Sequence, residues 1–147
     1  MAHRAPPSRR PRRPAVRTWL RLVRVFQKVE RASDLHLAAW RLSGAQFDVL
    51  AQVGGAEGLT QQELADALLV TKGNVTQVLD RMAARGLVER CQDGRAKRLF
   101  LTERGRALFA EVVPAHEALV AERFAVLSPE EDDHLHALLR KLDRAPE

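Results

Sequence analysis

The sequence predicts a mainly α-helical chain broken once by a short β-hairpin. Three observations carry this reading. Apolar residues recur at three- and four-residue steps along most of the chain, the spacing of one helix face. Ser43, Thr60, Thr71, Thr102 and Ser128 each stand just before such a run, where a hydroxyl can accept from a helix's first amides. Only "LVERC" and "KRLFL" have strand composition, and Asp93-Gly94 between them is a hairpin turn signal. With 147 residues and 46% apolar content, the chain can bury one core of ordinary domain size.

Residues 1–14, "MAHRAPPSRRPRRP", hold five arginines, four prolines and no acid, so they form a disordered basic arm that either touches DNA or solubilises the chain. Arg17, Arg21 and Arg24 interrupt the apolar residues that follow, which argues against a signal peptide or a membrane span. From Val16, the positions Trp19, Leu22, Val23, Phe26 and Val29 mark one long helix running toward Leu42, with a bend near Ser33-Asp34. Ser43 caps a second helix carrying Phe47, Leu50 and Ala51, which Gly54-Gly55 and Gly58 end.

Thr60-Gln61-Gln62-Glu63 has the form of a capping box, and Leu64, Ala65 and Leu68 make the inner face of a short helix. Thr71 offers a new cap a few residues after that helix must stop, so two short helices meet across a tight turn, the spacing of a helix-turn-helix. In the second, Val75, Val78, Leu79 and Met82 form a buried stripe. The opposite stripe reads Gly73, Thr76, Gln77 and Asp80, flanked by Lys72, Asn74 and Arg81. A merely solvated face would favour Glu and Lys. Short hydrogen-bonding residues instead suit base edges: Asn and Gln pair with adenine, Thr meets a thymine methyl, and Gly admits close backbone approach.

The hairpin must lie against the helices, since two strands alone are marginal. Arg95 at its tip, with Lys97 and Arg98 on the returning strand, suits a wing entering a minor groove. Thr102 caps another long helix, kinked at Pro114, and Ser128-Pro129-Glu130-Glu131 starts a last one lined by Leu135, Leu138, Leu139 and Leu142.

Charge is localised to match. Residues 71–110 hold nine bases against four acids, whereas 111–147 hold nine acids against four bases. The positive segment fits phosphate binding, and the negative, leucine-striped one fits pairing with a second chain. Catalysis is not expected: there is no tyrosine, phosphate-binding glycine loop, nucleophile elbow or His-Glu-x-x-His. No cofactor is expected, and no metal either, because His134 and His136 lack the four-residue spacing that suits helical ligands. Cys91, the single cysteine, reads as a satisfied structural thiol in a reducing cytoplasm.

The run "LTQQELADALLVTKGNVTQVLDRMAARGLVER", followed by a wing and "LFLTERG", resembles the MarR family of bacterial winged-helix transcriptional regulators, and the likeness extends over nearly everything from residue 16 on. The resemblance implies a single domain, 15–147, with dimerisation helices at 15–42 and 103–147 and a winged helix-turn-helix lobe at 43–102. It implies a homodimer on double-stranded DNA with a palindromic operator. It puts Thr71, Lys72, Asn74, Thr76, Gln77 and Arg81 on the recognition helix, and Asp93 and Arg95 on the wing. Where the family often has Asp-Arg-Arg, this wing reads Asp93-Gly94-Arg95, which leaves one tip contact open. The family's habit of releasing DNA on binding a small lipophilic or phenolic effector implies a pocket, for which Trp19, His36, Trp40 and Arg41 are candidates; residues of this kind at helical spacing also suit a core. A second class of function, a winged-helix module binding protein or RNA, would show aromatic anchors on the recognition face, and this face has none.

Overall fold

The computed structural model describes residues 10–11, 13–68 and 72–146, without the side chains of Lys72 and Gly73. Most of the basic arm, and Thr71, therefore lie outside the described residues. The elements in order are α1 (Pro14–Leu37), a 3₁₀ turn (Ala38–Trp40), α2 (Gly44–Gly55), α3 (Gln61–Leu68), α4 (Lys72–Ala84), β1 (Val88–Asp93), β2 (Ala96–Leu101), α5 (Glu103–Phe124) and α6 (Pro129–Asp143). This is a mainly helical chain with one antiparallel hairpin, arranged as a winged helix-turn-helix between long terminal helices.

Local chemistry sets the helix starts. Pro14 opens α1 with its fixed φ, so helix replaces the arm one residue before its expected end. Ser43 and Ser128 both form reciprocal boxes, with Gln46 and Glu131 respectively. At Thr60 the backbone N–H donates to Glu63 Oε2 at 2.8 Å while Thr60 Oγ1 accepts from the Glu63 amide at 3.1 Å. Thr102 Oγ1 accepts from the Gly105 amide at 2.9 Å and donates to the Gly86 carbonyl at 2.6 Å, so one hydroxyl both caps α5 and ties it to the end of the recognition-helix segment.

The first helix differs from expectation. It continues through Ser33-Asp34 and ends at Leu37, short of Leu42, and Arg41 then adopts a left-handed backbone at φ 54°. That conformation is costly without glycine. It is held from the turn just after α4, where the Arg85 guanidinium donates to the carbonyls of Arg41 at 2.7 Å and Trp40 at 3.1 Å. The last helices follow expectation more closely, and α5 runs on through Pro114.

The hairpin pairs Val88 with Leu101 through Asp93 with Ala96. Its central turn residues are thus Gly94 and Arg95, one step later than the Asp93-Gly94 expected. Gly94 has φ 59° and Arg95 does not have a positive φ, the arrangement in which glycine is needed at the first central position. The loop before α3 lends the wing further support, because the Gly58 amide donates to Leu99 O at 2.8 Å and the Leu99 amide to Leu59 O at 2.9 Å. Cys91 is exposed on the outer part of β1, where the hairpin's outer half projects beyond the helices that cover its base.

The core belongs to the central lobe. Leu50, Val53, Leu64, Leu79, Met82 and Leu99 are each at 0% exposure, and α1 and α5 add only Leu37 and Val112 to the buried hydrophobic set. No residue of α6 is buried. The terminal helices instead expose large apolar side chains, Trp19 at 60%, Phe26 at 61% and Leu142 at 63%, and so does the turn between α5 and α6, where Val126 is at 86%.

Candidate nucleic-acid interface

Helix α4 is anchored by Val75, Leu79 and Met82, at 1%, 0% and 0% exposure. At about 100° per residue, this stripe leaves two other sides of the helix available. Thr76 and Asp80 lie on one, and Asn74, Val78 and Arg81 on another, with Gln77 at the boundary; Asn74, Thr76, Gln77, Asp80 and Arg81 are all exposed. The predicted recognition residues are therefore divided. Thr76 and Gln77 face outward, while Asn74, Gln77 and Arg81 also line a cleft of about 470 Å³ enclosed by α1, α2, α4 and His116 of α5.

The outward side is braced from its neighbours. Gln61 Nε2 donates to Thr76 Oγ1 at 2.9 Å, fixing α3 to the recognition helix. Asp80 Oδ1 pairs with the Arg90 guanidinium at 2.7 Å, tying the same helix to β1. Asp80, read from sequence as part of the reading stripe, is thus engaged by the wing. Arg90 was missed by the sequence reasoning, and its signal would have been a basic residue at an inward position of a strand that otherwise buries Val88.

On the wing, the four predicted residues separate into two kinds. Arg98 Nε donates to Asp93 Oδ2 at 2.7 Å, and its Nη1 donates to the Gly58 carbonyl at 2.9 Å. This pair holds the hairpin to the preceding loop. Arg95 and Lys97 are exposed and make no ion pair among the described residues, so their charge is directed to solvent.

The four predicted pocket residues do not line the cleft. Trp19 lies exposed on α1. His36 and Trp40 meet at 4.9 Å between ring centroids with their planes tilted by 53°, Trp40 Nε1 donates to Glu111 Oε1 at 3.1 Å, and Arg41 forms the left-handed corner. The cleft is instead lined by Phe26, Phe47 and Val78, together with the carboxylates of Glu30, Asp34 and Asp48 and the basic groups of Arg81 and His116. Burial raises the Asp48 carboxyl above its usual range, partly offset by His116. His116 is lowered, first by its own burial and then by His36, with Asp48 and Glu117 opposing. Its Nε2 lies 2.7 Å from Ser33 Oγ, which joins α5 to α1 at the cleft.

The arrangement matches known proteins. A model of the MarR family matches residues 42–99. A Bacillus cereus protein described as an uncharacterized HTH-type transcriptional regulator is 36% identical over 130 residues, 88% of either chain. Escherichia coli MarR, crystallised as a mutant complexed with operator DNA, has TM-score 0.78 and 30% identity over 87% of this chain and 95% of that one. Bordetella bronchiseptica BpsR, whose DNA binding is regulated by 6-hydroxynicotinic acid, has TM-score 0.79 and 28% identity over 90% and 98%.

Proposed function

Since the chain belongs to the MarR family of DNA-binding transcriptional regulators, we propose that it acts as a homodimeric repressor, reads an inverted repeat and is released by a small effector. The observation that carries the DNA reading is the outward side of α4, where short hydrogen-bonding residues stand beside an exposed basic wing tip. Thr76 and Gln77 would meet base edges in the major groove. Arg95 would enter the flanking minor groove, and Asp93–Arg98 would hold the wing at the angle this requires.

The dimer reading is supported by the apolar side chains that α1 and α6 leave exposed, since patches of this size on a soluble chain mark contact with another surface. A groove between these two helices is lined by Leu22, Val25, Leu135, Leu138, Leu139 and Leu142. Two copies joined there would present two recognition helices, and half-sites about one helical turn apart would fit them. The terminal segments, 15–42 and 103–147, would then serve assembly, and 43–102 would serve DNA.

The effector would sit in the cleft behind α4. An occupant touching Asn74, Gln77 and Arg81 there contacts the helix that reads DNA, so its binding can favour one placement of that helix over another. Three carboxylates among its lining residues favour a neutral or amine-bearing lipophile over an anion, because an anion would face Glu30, Asp34 and Asp48 at close quarters.

The deciding experiment is selection of bound fragments from genomic DNA by the purified protein at physiological salt, followed by affinity against salt on the best site. An enriched inverted repeat with a steep salt dependence is the expected result. Shallow, sequence-blind binding would overturn the reading.

A further inference from the structure

Two clefts flank α4, and their charges are opposite. The first holds the three carboxylates described above. The second, about 440 Å³, lies on the Thr76 side between the start of α3, Val75 of α4 and the wing. Gln61 and Gln62 line it from α3, and Gln92, Arg95 and Lys97 line it from the hairpin, with no carboxylate among its lining residues.

Each glutamine amide is oriented by a bond within the protein. Gln61 Nε2 donates to Thr76 Oγ1 at 2.9 Å, Gln62 Nε2 to Asp66 Oδ1 at 2.8 Å, and Gln92 Nε2 to the Gly94 carbonyl at 2.8 Å. A carboxylate and a carbonyl only accept, so the amide nitrogens of Gln62 and Gln92 must face them, and every such nitrogen retains a second N–H. The cleft is therefore lined by three held amides, each with an N–H not used by its bond within the protein, and by two cations, while the Asp66 carboxylate is engaged by Gln62; this set suits an anion with several acceptor oxygens.

We infer that this cleft seats one backbone phosphate of the bound DNA, and that the seat fixes the register of α4 through the Gln61–Thr76 bond. The inference deepens the DNA-binding reading above and rests on it. A phosphodiester is the anion that DNA brings next to a recognition helix, and phosphate contacts position a protein on the duplex without reading its sequence. The acidic cleft on the other side of α4 repels the same backbone, so the strand passes on the wing side. Gln61, Gln62 and Gln92 thereby join Arg95 and Lys97 as positioning residues.

The test compares Gln62→Leu, Gln92→Leu and Lys97→Gln on the selected operator and on a scrambled duplex, with inorganic phosphate as a competitor at constant ionic strength. Thermal midpoints of the variants check that they fold. Lys97→Gln should lower the slope of log affinity against log salt by about 0.9 for each seat engaged. The leucine variants change no charge, yet each should weaken binding about three- to tenfold on both duplexes. Combining either with Lys97→Gln should cost less than the product of the single losses. Leucine variants that bind like the wild type would overturn the seat and leave only a diffuse positive field. Displacement of the wild type by inorganic phosphate at constant ionic strength that is lost in the leucine variants would support the seat, whereas displacement equal in wild type and variants would overturn it. If the wild type fails to prefer the operator, the sequence-specific reading falls, and the leucine variants still decide the seat on the scrambled duplex.

Discussion

Gln77 occupies the border between the outward side of α4 and the cleft behind it. Its neighbour Thr76 is already engaged by Gln61, so Gln77 is the side chain best placed to move between a base edge and an effector. Gln77→Ala should relax preference at one base position by roughly 1 to 3 kcal/mol, read by competition among single-base operator variants. Arg95→Ala should behave differently. It should weaken binding across sequences, with the largest loss at A/T-rich flanks, where the minor groove is narrow. Equal losses for Arg95→Ala on A/T-rich and G/C-rich flanks would place that arginine on phosphate alone. The residue scale also explains one small residue: a Cβ on Gly105 would run into the Leu87 carbonyl oxygen, so α5 can approach the loop before β1 only with glycine there.

The elements were legible wherever their signals were local. Caps at Ser43, Thr60, Thr102 and Ser128 form between residues three apart, and the sequence shows both partners at once. The buried stripe of α4 was legible for the same reason. What escaped were contacts between distant segments. Arg85 reaches the carbonyl of Arg41 across 44 positions, and without it the helix pattern of α1 reads straight on to Leu42. Arg98 and Asp93 were read as two DNA contacts because nothing in a linear reading shows that they meet each other. The cleft behind α4 escaped similarly: Trp19, His36, Trp40 and Arg41 stood out in the sequence, but this cleft is made where Phe26, Phe47 and His116 converge from three helices. That convergence carries a pH dependence. His116 sits below its ordinary 6.5 in the fold, so the unfolded chain takes up its proton first as pH falls. Its contribution to stability is complete above about 6.5 and is lost as pH drops toward the lowered folded value. Denaturation midpoints between pH 7 and 5 should therefore fall more steeply for the wild type than for His116→Gln. Parallel curves would show that folding does not weaken the hold of this imidazole on its proton.

At the scale of the whole molecule, buried hydrophobic residues are concentrated in the central lobe, and the ends carry exposed leucine and aromatic faces. Leu138→Glu with Leu142→Glu should leave the lobe folded while separating the subunits, as measured by sedimentation. Loss of bivalent attachment should then weaken operator binding by about a hundredfold or more, with single half-site binding little changed. A variant still dimeric, or a monomer with full operator affinity, would overturn the proposed assembly. Within one copy, α6 buries none of its residues. A helix that finds its cover only on another copy owes its order to mass action, so its amide hydrogens should exchange faster on dilution while those of Leu64 and Leu79 keep their protection. Abundance would then act as an input of its own: in a cell holding few copies, the protein would have an intact reading head but no second hand with which to hold the site.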